Sequence, residues 1–103
     1  MIIYQGNTYN LPIKLKFGGK TVVADDVKKV EFAFGGIIKT YPEQATFNDE
    51  VFTVPLTQED TFSFDEKEKQ YYQVRVYFND GSVKGSTPKV FEVQPSVSKA
   101  VLK

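Results

Sequence analysis

The chain is 103 residues long, has no Cys and no His, and balances 13 basic residues against 13 acidic ones. Without Cys there is no disulfide and no thiolate metal site; without His there is no Ser-His-Asp or Cys-His nucleophile system and no imidazole ligand. A net charge of zero supplies no global field to gather a phosphate backbone or an anionic membrane, so neither nucleic acid nor membrane is an expected partner.

The length suits one domain, large enough to hide about two thirds of its unfolded surface without staples. The opening "MIIYQGNTYN" has no charged leader region and no long apolar run, so signal-peptide export is not expected. Apolar runs are too short for a membrane-spanning helix.

Aromatic residues make up 15% of the chain, all of them Phe or Tyr, a composition that favours pleated, half-buried surfaces. In chain order, the first predicted strand is Ile2–Gln5 and the second Thr8–Lys16. In the second, Leu11, Ile13, Leu15 and the following Phe17 share one face, while Pro12, Lys14 and Lys16 share the other. Gly18 to Lys20 ends it. Lys28–Phe34 alternates Val30, Phe32 and Phe34 against Glu31 and Ala33. Gly35 and Gly36 form a tight turn into Ile37–Tyr41, because paired glycines accept positive φ. Phe47 to Glu50 reads as a looser turn before Val51–Leu56. Pro12, Pro42 and Pro55 mark strand edges, ends or bulges.

Leu56 to Phe64 breaks the period of two. Thr57 stands three residues before Asp60, an approximate capping box that predicts one short helical turn near 57–62, crossing from one sheet to the other. Asp65 to Gln70 is a charged connection. Tyr71–Asn79 turns Tyr72, Val74, Val76 and Phe78 one way and Tyr71, Gln73, Arg75 and Tyr77 the other. Ser82–Ser86 and Lys89–Gln94 complete the strands. The predicted fold is all-β: an antiparallel, two-sheet, immunoglobulin-like sandwich of about seven to eight strands. No helical stretch is long enough for a βαβ unit, so parallel pairing is not expected. Residues 1–103 form a single domain whose segment 95–103 serves as a docking tail. Its predicted core is Leu11, Ile13, Leu15, Val30, Phe32, Phe34, Phe52, Val54, Val74, Val76, Phe91 and Val93.

Few residues resemble chemistry. "NDGS", Asn79 to Ser82, reads as a hairpin turn: Val83 and Lys84 occupy positions where a calcium loop needs oxygen ligands, and the order of "GSVKGST" is not that of a phosphate loop. Asp25 and Asp26 could hold a metal with Glu31, or could neutralise Lys28 and Lys29. Asp65, Glu66 and Glu68 alternate with Lys67 and Lys69, the pattern of a solvated loop. Glu43, Asp49 and Glu50 could supply an acid and a base only inside a cleft. No catalytic, cofactor-binding or metal residue is assigned, and no cofactor is expected. Tyr71, Arg75 and Tyr77 remain as a surface. They are either a contact face for protein or sugar or the cover of an outer sheet face, with Arg75 stacked on tyrosine. The segments Met1–Gln5 and Val97–Leu102 are apolar and short of protective charge. Val97, Val101 and Leu102 are the expected contacts of the tail.

In order, "QGNTYNLPIKLK", "KVEFAFGGIIKTYP", "VPLTQEDTFSF" and the ending "VQPSVSKAVL" resemble the small β-sandwich proteins and N-terminal domains of tailed phages and prophages of Gram-positive bacteria. The N-terminal domain of the phage upper baseplate protein is the best-known relative. The resemblance implies a non-enzymatic structural or adaptor domain, located in the virion tail or baseplate after synthesis in the bacterial cytoplasm. It also implies attachment to other tail or baseplate proteins; self-association is expected separately, from the unprotected terminal segments. The alternative is an independent carbohydrate- or protein-binding module that uses the tyrosine face.

Overall fold

A computed structural model describes residues 1–103. Half of the chain is strand and 8% helix. The strands are β1 (Ile2–Tyr4), β2 (Tyr9–Ile13), β3 (Lys16–Phe17), β4 (Lys20–Thr21), β5 (Val27–Phe34), β6 (Ile37–Tyr41), β7 (Thr46–Asn48), β8 (Val51–Leu56), β9 (Gln70–Phe78), β10 (Val83–Gly85) and β11 (Lys89–Gln94). A 3-10 turn at Ala24–Asp26 precedes β5, and a helix α1 (Gln58–Phe62) joins β8 to β9. A six-stranded sheet runs β1-β11-β9-β5-β6, with β10 also on β9; a three-stranded sheet runs β2-β8-β7; β3 and β4 form a separate hairpin.

Alternation along β5, β8, β9 and β11 turns Val30, Phe32, Phe34, Phe52, Val54, Val74, Val76, Phe91 and Val93 into one buried cluster with Leu15. Aromatic rings join the layers. Phe52, on the small sheet, packs at 5.8 Å from Phe32 and 5.2 Å from Tyr41 on the large one, and at 4.7 Å from Phe47 beside it. A second group stacks Tyr72 on Phe34 at 5.8 Å and sets Phe91 edge-on to Phe64 at 5.2 Å. Leu11 and Ile13, expected in the core, face it but remain half-buried, because β2 is the last strand of its sheet. Ile3, Val22, Val27, Ala45, Leu56 and Phe64 join the core instead of lying outside it.

Three expectations need correction. First, not every pairing is antiparallel: β1 lies parallel to β11, with Ile2 beside Glu92 and Tyr4 beside Gln94. No βαβ unit is required, because the whole intervening domain serves as the crossover. Met1–Gln5 is thus a paired strand with Ile3 fully buried, not a free docking segment. Second, Thr8–Lys16 is not continuous; its end folds into the β3–β4 hairpin, where Gly18 and Gly19 take φ of 60° and 79°. Third, the turn in "FNDE" is tight: Asn48 pairs with Val51, leaving only Asp49 and Glu50, both left-handed at φ 50° and 65°.

Proline governs the β2 edge. In the pairs Asn10 with Pro55 and Pro12 with Thr53, one partner cannot donate. Hydrogen bonding between β2 and β8 therefore falls to the alternate pairs, which contain Tyr9, Leu11 and Ile13. Asn10 and Pro12 then direct their main-chain groups to the free edge, and Pro12 offers no donor there.

Candidate protein-contact surfaces

The alternation of β9 turns Tyr71, Arg75 and Tyr77 to solvent on the outer face of the large sheet, with Tyr71 51% and Tyr77 41% exposed. Register determines their neighbours. Arg75 lies across from Glu31, Tyr77 across from Lys29 on one side and Val83 on the other, and Tyr71 across from Val90. The Arg75 guanidinium donates to both Glu31 carboxylate oxygens, at 2.8 and 3.2 Å. That hydrogen bond holds the Glu31 carboxyl below its ordinary 4.5 against a burial that pushes it up, and the charges of Arg75 and Lys29 lower it further. Arg75 is therefore engaged with a carboxylate rather than stacked on tyrosine. The cation over Tyr77 is Lys28, at 5.2 Å from the ring centre. The two tyrosines stand six residues apart on one strand, about 20 Å, so they form two separate anchors and not one stacking platform.

The alternative of a metal at Asp25 and Asp26 calls on Glu31, whose carboxylate is committed to Arg75. Asp26 lies in the 3-10 turn, and its carbonyl accepts from the Asn79 N–H at 3.0 Å. Asn79 Nδ2 likewise donates to the Asp25 carbonyl at 2.6 Å. This loop therefore fastens the "NDGS" turn. That turn is the hairpin between β9 and β10, with Gly81 at φ 89° and Asp80 accepting from the Ser82 N–H at 2.8 Å.

The tail has no regular structure after Gln94. It is nonetheless held. Gln5, itself buried, donates from Nε2 to the Phe64 carbonyl at 3.0 Å and accepts at Oε1 from Ser96 N–H at 3.3 Å and from Lys99 Nζ at 2.5 Å. Lys99 also reaches Glu66 at 3.5 Å. Further on, the Gln58 amide grips the Leu102 main chain from both sides: Nε2 donates to its carbonyl at 2.8 Å and Oε1 accepts its N–H at 2.9 Å. Val97 is fully exposed, Leu102, gripped only through its main chain, is 81% exposed, and Val101 is half-buried. The tail is fastened to Gln5 and to α1, whereas Tyr71 and Tyr77 lie on β9.

The scaffold behind the tail depends on α1. Thr57 Oγ1 accepts from the Asp60 N–H at 3.1 Å, and Asp60 Oδ2 accepts from the Thr57 N–H at 2.8 Å, completing the capping box. Asp60 also pairs with Lys39 on β6 at 2.8 Å. Buried Thr61 accepts from the Gly6 N–H and donates to the Asn7 carbonyl, both at 2.9 Å, and so ties the helix to the end of β1. Gln5, Gln58 and Thr61 were not singled out in the sequence, and Glu31 only as a metal partner for Asp25 and Asp26. Each acts through a partner more than forty residues away, and only the sheet register or the return of the tail reveals it.

No helix is long and apolar enough to cross a membrane. No family model matches the chain, and no curated protein matches it.

Proposed function

We propose that this chain is a non-enzymatic structural or adaptor domain of a phage or prophage virion, attaching to other tail or baseplate proteins and built as an immunoglobulin-like sandwich. The observation that carries this reading is the tail. Its backbone is anchored by Gln5 and Gln58, while Val97 and Leu102 point outward. Ordered apolar side chains held away from their own core are anchors for a partner's pockets, and the cost of ordering them is met before binding. The ordered motifs that resemble phage sandwich domains supply the class of partner.

The test compares the full chain with one ending at Ser96 as bait for the recombinant tail and baseplate proteins of the encoding phage. The full chain is expected to capture at least one of them, or to self-associate. The shortened chain is expected to stay folded, because the buried cluster ends at Val93, and to lose capture. Failure of the full chain to bind any of these proteins would refute the adaptor reading, and unfolding of the shortened chain would refute the docking tail. Retained capture by a folded, shortened chain would favour the second reading, a protein- or carbohydrate-binding module using Tyr71 and Tyr77. The exposure of these two rings on a rigid strand supports that alternative.

A further inference from the structure

The two main sheets differ in width, and this difference leaves a groove. The three-stranded sheet ends at β2, and residues of β5, β9 and the β10–β11 connection line the space beside it. Between β2 and the Ser86–Lys89 break in the opposite edge lies a cavity of about 490 Å³. Leu11, Ile13 and Leu15 form its wall, and Phe34, Tyr72 and Val74 its floor. The floor is nearly sealed, with Phe34 1% and Val74 4% exposed, whereas Leu11 and Ile13 are only half-buried. Apolar wall surface therefore remains to be covered.

The charge around this opening has one sign. Lys14, Lys16 and Lys89 line it, and no carboxylate does, although the chain as a whole is neutral. Lys14 reaches Glu50 at 3.3 Å across an exposed, exchangeable pair. Lys16 and Lys89 are exposed and make no ion pair. An occupant must therefore bring apolar groups and negative charge together. It cannot be held by a full β-ladder, because Pro12 has no N–H to offer at the edge of β2. Side chains must do the holding, with apolar ones in the groove and carboxylates over the lysines.

We infer that the groove beside β2 binds an extended segment of a partner protein in which apolar and acidic side chains alternate. This goes beyond the docking tail and uses a different face; it shares with that reading only the premise that the partner is a protein. The alternation follows from geometry: in an extended chain successive side chains point to opposite sides, so one set can enter the groove while the other meets the rim.

The experiment is an amide NMR titration of the full chain with an octapeptide alternating Glu and Val, beside the same peptide with Lys for Glu, and dodecanoate as an anionic amphiphile. Saturable shifts at Leu11 to Leu15 and Ser86 to Lys89 are expected with the Glu peptide alone. A Lys16→Glu/Lys89→Glu variant is expected to bind it about tenfold more weakly while keeping its folded spectrum, since both lysines are exposed. No saturable shift, an equal response to both peptides, or shifts centred on the Tyr71 face would overturn the inference. So would a response to dodecanoate but not to the Glu peptide. The titration reads the groove alone, whereas capture by the shortened chain reads the tail, so either proposal can fail without the other.

Discussion

Phe52→Ala should be among the most destabilising single changes in this protein, because one ring joins two sheets. Phe52 is fully buried and meets Phe32, Tyr41 and Phe47 at centroid distances of 5.8, 5.2 and 4.7 Å. Removing a buried Phe side chain costs its transfer free energy and leaves a cavity, together roughly 3–5 kcal/mol. Burial alone accounts for about 1.5–3 kcal/mol of that. Each tilted or edge-on ring pair adds about 0.5–1.5 kcal/mol beyond area, so the upper half of the range is expected. Phe52→Leu separates the contributions: it keeps most of the apolar volume and loses the three ring pairs, for about 1.5 kcal/mol or more. Equilibrium urea unfolding, followed by far-UV circular dichroism and by tyrosine fluorescence in this Trp-free chain, reads both values as midpoint shifts at constant m. A loss below about 1 kcal/mol for Phe52→Ala would mean that the small sheet does not pack on the large one through this ring. A one-residue slip of β8 would have that effect, since it turns every side chain to the other face.

Gly6→Ala should destabilise more than Gly81→Ala, as measured by thermal melts. Both glycines are left-handed, at φ 83° and 89°, but a Cβ on Gly6 would stand 2.8 Å from Phe62 Cζ, whereas one on Gly81 meets nothing within 4 Å. The Gly81 change should cost only the left-handed strain, about 1–2 kcal/mol, and equal losses at the two sites would remove the steric account. Acid should weaken the fold partly through Asp60. Burial pushes its carboxyl up, but the hydrogen bond from Lys39 and those within the capping box outweigh it and hold the group below its ordinary 3.8. The native state then binds fewer protons than the unfolded chain, so this contribution is complete above the ordinary value and is lost as pH falls through the lowered one. In Asp60→Asn the urea midpoint should be lower at pH 7 and fall less steeply between about pH 5 and 2; an unchanged slope would assign the acid sensitivity elsewhere.

Local pattern was legible wherever one face of a strand is buried. Val30, Phe32 and Phe34 announced β5, Val74 and Val76 announced β9, and the Thr57–Asp60 spacing announced α1, because period and capping are local physics. Width and pairing were not legible. Leu11 and Ile13 carry the alternation of core residues, and only the lack of a further strand beside β2 leaves them half-open. Arg75 was expected either on a contact face or stacked on tyrosine, and a carboxylate partner was not foreseen. The β5–β9 register chose Glu31, and that register includes an irregularity between Val27 and Lys29 that no periodicity anticipates. Of the expected contact surfaces, the exposure of Tyr71 and Tyr77 followed from strand parity. The fastening of the tail by Gln5 and Gln58 did not, since a glutamine in sequence carries no sign of the distant main chain it will hold.

The parallel seam between β1 and β11 has a consequence for how the protein is made. Its two strands lie about ninety residues apart in the chain, with Ile2 beside Glu92. At a ribosomal pace of 5–20 residues per second, β1 waits roughly 5–20 s for its partner. Throughout that interval its hydrogen-bonding edge is unpaired and Ile3, later fully buried, lacks its cover from β11. Hairpins such as β5–β6 and β7–β8 close over two-residue turns and need no such wait. The nascent chain thus acquires its interior before its margin, and β1, made before the other ten strands, is the last to find its place.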